Sequence, residues 1–345
     1  MSKSMSFEFA TAQRIVFKRG SAGDVASWSV KLGRTARSSS GRRRGGGGAR
    51  GAGGGDDEVE GPVKVLVVTG RAGLDRPSLM QAKSSLDAVP DDIQYRVFRL
   101  FEGAGGTGAE EPTVSMAGDA VDAAVEFGAE LVVGIGGGSA IDTGKAVAAL
   151  VPQPGSLLDY IEVVGRSLPL EENPLPFIAV PTTAGTGSEA TKNSVFDDPT
   201  MNVKASLRDN SMLPTLAIID PLLTVSVPKS VTAATGLDAL TQNIEPFVSN
   251  TTTPITDAIT LEAIQRCARS LLRCYETGND VDAREDMCVA SLFGGIAVRE
   301  EATHALTHFS RFLVLIAPRD KRILRDERHQ SALLDSCGAP HLLAT

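Results

Sequence analysis

Leu131-Val-Val-Gly-Ile-Gly-Gly-Gly-Ser-Ala-Ile-Asp-Thr-Gly-Lys145 is the stretch that decides the fold. A short β-branched run feeds three consecutive glycines, and the chain then turns helix-compatible through Val147 and Leu150. Glycines at such a turn let the backbone fold tightly and bring its N–H groups close to a ligand. The helix that follows aims its positive end and unpaired N–H groups at the same place, which suits a phosphate. Gly-rich strand-to-helix turns also arise for packing alone, so both readings stand until the flanking chain is read.

Upstream, Val63-Lys-Val-Leu-Val-Val68 reads as a buried parallel strand ending at Thr69-Gly70. The spacing then predicts a helix around Ser78 to Val89, a strand over Ile93 to Phe98 and a helix over Val114 to Phe127. Downstream, Phe177-Ile-Ala-Val180 is a strand closed by Pro181-Thr-Thr-Ala-Gly-Thr-Gly-Ser-Glu189, and Val203–Leu207 and Leu216–Asp220 are strand-like. Strands alternating with helices define an α/β fold with a Rossmann-like parallel sheet, and place a ligand at the carboxyl ends of its strands. From Pro228 onward the pattern is helical: Thr235 to Val248, Pro254 to Tyr275 and Ala283 to Val298. The expected division is an α/β nucleotide-binding domain over 1–226 and an all-helical domain over 227–345.

At the N-terminus, Phe7 to Phe17 reads as extended and suited to a hairpin, and Asp24 can cap a short helix toward Leu32. Gly33 to Gly55 is glycine, arginine, serine and alanine, followed by the acidic Asp56-Asp-Glu-Val-Glu60. Such a tract buries too little surface to offset its ordering entropy, so 33–60 is expected to be a disordered surface insertion. It lacks aromatic residues for base stacking, which favours a solvated loop over RNA binding.

At 345 residues the chain can build two cores, and 42% hydrophobic with 22% charged residues fits a globular protein. No apolar run reaches membrane-spanning length, and Met1 to Gly20 lacks the apolar core of a secretory signal. Cys267, Cys274, Cys288 and Cys337 form no CxxC pair, which points to reduced thiols and a cytoplasmic setting, with the mitochondrion left open. A net charge of −8 argues against nucleic acid as a partner. The four histidines are His304, His308, His329 and His341, so chemistry upstream of them runs without imidazole.

Four separated motifs agree: Gly134-Ile-Gly-Gly-Gly-Ser-Ala-Ile-Asp-Thr-Gly-Lys145, Pro181 to Glu189, Leu216-Ala-Ile-Ile-Asp-Pro221 and Thr235-Gly-Leu-Asp-Ala-Leu-Thr-Gln-Asn-Ile-Glu245. In this order and spacing the chain strongly resembles the iron-containing, or group III, alcohol dehydrogenase family over 7–32 and 61–298. The resemblance implies an oxidoreductase that moves a hydride between NAD or NADP and a small alcohol or aldehyde, with a divalent metal (iron, or else zinc). It also implies a homodimer. Gly136, Gly137, Gly138 and Ser139 would hold the cofactor pyrophosphate, with Asp142 in the same cradle. Thr182, Thr183, Thr186 and Ser188 would contact the phosphate and nicotinamide-ribose side, and Lys204 would reach the cofactor as a point charge. Gly70, followed by Arg71, stands where NAD-preferring members often carry a carboxylate, which leaves room for NADP beside NAD.

Asp238 aligns with the family's first metal ligand, which the resemblance makes its catalytic position, and Gln242 with the second, usually a histidine. Four apart on one helical face, both converge on one point, although an amide oxygen is a weaker ligand than imidazole. Thr235 to Asp238 also has roughly the spacing of a capping box, which leaves ligand and cap both open. His308 falls beside the place of the third ligand, with His304 four residues earlier, and no fourth is named. After Val298 the family pattern stops, and Phe312-Leu-Val-Leu-Ile316 is left without expected partner helices, so the helical domain reads as truncated. Two alternatives follow: a metal-free NAD(P)H reductase of the maleylacetate reductase type, with which Gln242 is compatible, and a truncated, non-catalytic protein that retains nucleotide binding.

Overall fold

The structure is a computed structural model, and it describes residues 10–44, 61–102, 111–249 and 253–297. The chain opens with β1 (Ile15–Phe17) and α1 (Val25–Arg44), then β2 (Val63–Thr69), α2 (Met80–Asp87), β3 (Ile93–Arg99) and α3 (Val114–Phe127). β4 (Leu131–Gly136) leads into α4 (Gly138–Leu150), the single-turn α5 (Leu157–Tyr160) and β5 (Phe177–Pro181). β6 (Asn193–Asp198), β7 (Val203–Arg208) and β8 (Leu216–Ile219) follow, then the helices α6 (Lys229–Val248), α7 (Pro254–Glu276) and α8 (Val281–Ala297).

Six strands form one sheet in the order β1-β8-β5-β4-β2-β3, every pair parallel. Alternation along each strand explains its two buried faces. Val63, Val65 and Val67 of β2 pack with Val25 and Ala26 of α1 and Ala82 and Leu86 of α2. Leu66 and Val68 point the other way, into a core with Ala120 and Ala124 of α3 and Ile141 and Val147 of α4. A parallel sheet covered on both faces is what continuous valine-rich runs produce. Burying one such Val or Leu side chain contributes about 1.5–3 kcal/mol.

Strand order reverses between β2 and β4: from β2 the chain steps outward to β3, then returns to place β4 on the other flank. That switch point opens a crevice at the carboxyl ends of β2 and β4, where ligands of such sheets sit. Beyond it, α6, α7 and α8 pack on each other around Ala239, Ala263, Cys267, Cys274, Met287 and Ala290. Cys267, Cys274 and Cys288 are buried free thiols. Among the described residues, no helix is long and apolar enough to cross a membrane.

Several expectations are corrected. Ile15–Phe17 joins the edge of the main sheet, parallel to β8, with Ile15 opposite Ala217 and Phe17 opposite Ile219, while 7–9 of the expected hairpin lie outside the described residues. The tract from Gly33 does not begin as disordered insertion: α1 runs past Leu32 to Arg44. Two anchors explain this. A Cβ on Gly33 would collide with the Val63 side chain, so the glycine lets α1 lie directly on β2. Arg37 pairs with Glu130 and donates to the carbonyls of Gly61 and Pro62. The remainder of the insertion, 45–60, lies outside the described residues.

β7 leaves the main sheet to pair antiparallel with β6, a strand that the polar sequence Asn193–Asp198 conceals. The capping-box reading of Thr235–Asp238 also falls. α6 already begins at Lys229, and the Thr235 hydroxyl donates to the carbonyl of Val231 inside the helix.

Candidate functional site

β4 delivers Gly136 to the switch point, and Gly137 caps α4 in an extended conformation without a side-chain cap. A Cβ on Gly136 would stand 2.6 Å from the Cβ of Ala140 and 3.6 Å from the backbone nitrogen of Gly70. The turn therefore packs too tightly for a side chain and lies beside the end of β2. Gly134 and Gly144 serve the fold instead: a Cβ on either would crowd the Phe177 ring, at 3.0 and 2.7 Å. Gly70 has open space around it, and Arg71 stacks over the Phe101 ring at 5.8 Å.

The loop after β5 forms the other wall. The Thr182 N–H donates to the Gly136 carbonyl at 2.8 Å. The Thr183 hydroxyl lies 3.4 Å from where a Cβ on Gly137 would be, and the Thr186 side chain 3.0 Å from one on Gly138. Ser188 is buried, and both its hydroxyl and its N–H donate to the Thr186 hydroxyl, at 2.9 and 3.3 Å. Ser188 thus shapes the loop that presents Thr186. The structure brings Gly136, Gly137, Gly138, Thr182, Thr183 and Thr186 into one cradle, with Ser139 in the first turn of α4 and Gly70 across it.

Asp142 is placed differently. One carboxylate oxygen accepts the Val195 N–H at 3.1 Å, and the other lies 3.1 Å from Lys145 Nζ, an ion pair rather than an aligned hydrogen bond. Its carboxylate is engaged with β6, not with the glycine turn. Lys145, with a fully buried side chain, also donates to the Thr191 hydroxyl at 2.9 Å and to the Asn193 carbonyl. Burial lowers the Lys145 pKa, and Asp142 pulls it back up. Burial pushes the neighbouring Glu189 up to about 7, offset in part by its own backbone N–H and by Lys145.

Lys204 on β7 is ion-paired with Glu111 and lies 4.0 Å from Asp197. On α6, Asp238 is half-buried, and the Gln242 amide donates to its carboxylate at 3.0 Å. Burial raises Asp238 to about 6; the Gln242 hydrogen bond lowers it, Glu111 raises it, and Lys204 lowers it. The Lys204–Glu111 pair is thus within electrostatic reach of Asp238. About two turns beyond Asp238 on α6, burial and then Asp238 raise Glu245 to about 7.

A turn with no room for a Cβ at Gly136 and little at Gly138, at an uncapped helix start, fits a dinucleotide pyrophosphate. A transition metal is a different case. Asp238 and Gln242 supply one carboxylate and one amide already hydrogen-bonded to each other. Among the described residues, no group of three or more His, Cys, Asp or Glu is arranged to hold a metal ion. His308 lies outside the described residues. The described donors alone do not fit a transition metal.

Residues that sequence reasoning passed over lie behind the threonine loop. The Gly185 N–H donates to Ser291 Oγ at 2.8 Å, and a Cβ on Gly185 would stand 2.6 Å from Thr235 Cβ. Gly187 is left-handed (φ +60°), and Gly295 of α8 meets its backbone directly. The available signal was Gly294-Gly295 inside a helix, where glycine costs about 1 kcal/mol against alanine unless a close approach requires it.

The chain matches the model of the iron-containing alcohol dehydrogenases over residues 56–221 and that family's C-terminal model over 232–310. This chain belongs to the iron-containing alcohol dehydrogenase family. The second match passes Val298, where the motif pattern faded, and takes in His304 and His308. The chain is 42% identical over 186 residues to alcohol dehydrogenase 4 of Saccharomyces cerevisiae, covering 53% of this chain and 48% of that protein. It is 40% identical over 201 residues to the probable alcohol dehydrogenase EutG of Escherichia coli, covering 57% of this chain and 50% of that protein. The chain spans about half the length of these curated relatives. Among solved structures, it resembles sulfoacetaldehyde reductase from Bifidobacterium kashiwanohense in complex with NAD+, with TM-score 0.70 and 28% identity. That match covers 91% of this chain and 72% of the other.

Proposed function

We propose that this chain is an NAD(P)-dependent oxidoreductase that moves a hydride between the nicotinamide ring and a small alcohol or aldehyde. The observation that carries this is the glycine cradle at the β2/β4 switch point, walled by a threonine loop seated on α6 and α8. In this reading the start of α4 holds the pyrophosphate, and Thr182, Thr183 and Thr186 orient the nicotinamide half. Asp142 and Ser188 act from behind the cradle. Asp238 sits on α6, with its carboxyl raised to about 6 by burial.

A divalent metal, held there, would supply Lewis-acid polarisation of a substrate oxygen. Asp238, Gln242 and His308 remain its candidate ligands. Family membership favours the alcohol oxidoreductase over the maleylacetate reductase and non-catalytic alternatives. Open space at Gly70 beside Arg71 supports acceptance of NADPH as well as NADH. We divide the chain into a nucleotide-binding domain over 1–226 and a helical domain over 227–345, and place the protein in the cytoplasm as a homodimer.

Fluorescence titration of the purified chain with NADH and NADPH tests the cradle; saturable binding of either is expected. Oxidation of a series of short alcohols with added iron or zinc tests the activity. Absence of binding to both nucleotides would sink the reading.

A further inference from the structure

The threonine loop is gripped from two sides. Toward the cradle, Thr186 abuts Gly138, Thr183 abuts Gly137, and the Thr182 N–H is bonded to the Gly136 carbonyl. Toward the helices, the loop has no slack. A Cβ on Gly187 would stand 2.5 Å from both the Gly295 nitrogen and the Ser291 carbonyl oxygen, and one on Gly185 would meet Thr235. Among the described residues, one side-chain hydrogen bond crosses from α8 to the loop: Gly185 N–H to Ser291 Oγ, 2.8 Å and buried, with Ser291 itself 2% exposed.

The geometry points to Ser291 as a positioning residue for the cofactor, acting from α8 through Gly185 and Thr186 on the nicotinamide side of the cradle. This rests on the nucleotide-binding reading of the cradle. Its physical basis is the cost of leaving a buried donor unmade: without Ser291 Oγ, the Gly185 N–H has to find another acceptor, and the loop moves to provide one. Thr186 moves with it, because Gly185 and Thr186 are adjacent and Thr186 is packed on Gly138. The sheet order makes the effect one-sided. β4 lies between β2 and β5, so a dinucleotide crossing the glycine turn has one half toward Gly70 and the other toward the threonine loop. Ser291 reaches only the β5 side. Affinity for the nicotinamide half of the cofactor is therefore set in part from the helical region, outside the sheet that carries the phosphate turn.

The test compares full-length wild type, Ser291→Ala and Ser291→Thr by calorimetric titration with NADH and, separately, AMP, with melting temperatures recorded for all three. Ser291→Ala is expected to weaken NADH binding about five- to tenfold while AMP binding stays within about twofold. Ser291→Thr, which keeps the hydroxyl, is expected to bind NADH within about twofold of wild type. Unchanged NADH affinity in Ser291→Ala overturns the proposal. So does an equal loss for AMP, which marks general loosening, or a loss in Ser291→Thr matching that in Ser291→Ala. A wild type that binds neither NADH nor AMP overturns the cradle reading itself, an outcome separate from all of these.

Discussion

Lys204 carries the one cation expected to meet the cofactor, yet its ammonium is paired with Glu111. Both groups are partly exposed, so the pair is screened and contributes little to stability. Its consequence is local electrostatics. While Glu111 holds Lys204, a cofactor phosphate or ribose competes with a carboxylate for that charge, and Glu111 also raises the Asp238 carboxyl. Replacing Glu111 by Gln removes one negative charge from both relationships. Glu111→Gln is expected to tighten NADH binding about two- to fivefold, an effect that shrinks at high salt. It is also expected to lower the Asp238 pKa. Titration at two ionic strengths reads the first effect, and the acid limb of a pH–rate profile reads the second. Weaker NADH binding in Glu111→Gln would show that Lys204 serves its ion pair and not the cofactor.

At the scale of elements, α8 and the threonine loop meet through glycines where most helices use larger side chains. A methyl group on Gly295 would run into the Gly187 carbonyl oxygen and carbon, both backbone atoms, so no rotamer change relieves the clash. Gly295→Ala is expected to cost about 1–3 kcal/mol as overpacking, read as a lower midpoint in urea. A neutral result would mean that α8 slides freely on the loop. This contact also shows where sequence legibility ends. The apolar runs of β2, β4 and β5 announced the sheet because burial on both faces imposes an unbroken pattern, and the triple glycine announced its turn. β6 stayed hidden because Asn193–Asp198 earns its ladder from pairing with β7, without an apolar repeat. α1 ran on into a glycine-arginine tract because Gly33 fits against Val63 and Arg37 finds Glu130, contacts 30 and 93 residues away that no local pattern records. The same holds for Asp142, whose motif neighbours face the cradle while its carboxylate faces β6.

For the molecule as a whole, buried carboxyls set how stability responds to pH. Glu189 is 3% exposed, and burial holds its pKa at about 7 against a usual 4.5. The folded state therefore binds this proton more tightly than the unfolded chain does. The contribution is fully present below the unfolded value and is lost as pH rises through the folded one, so stability falls between about pH 4.5 and 7. Glu245, raised in the same direction but half-exposed, adds a weaker component of the same sign. Asp286, lowered to about 2 by Arg269 and Ser270, has the opposite sign. Its stabilisation is present above its usual 3.8 and disappears as pH falls toward 2. Lys145, depressed by burial, favours folding as pH rises from its lowered value toward the usual 10.5. Between pH 5 and 7 the slope is shared by Glu189, Glu245 and Asp238, all raised by burial, and Glu189 is the most deeply buried of the three. The melting temperature is expected to rise as pH is lowered from 7 to 5. Glu189→Gln, which keeps the shape but carries no titrating group, is expected to make that rise shallower. Thermal melts at half-unit pH intervals measure both slopes. Equal slopes in wild type and Glu189→Gln would show that the nearby Lys145 charge keeps Glu189 ionised in the folded core across this range.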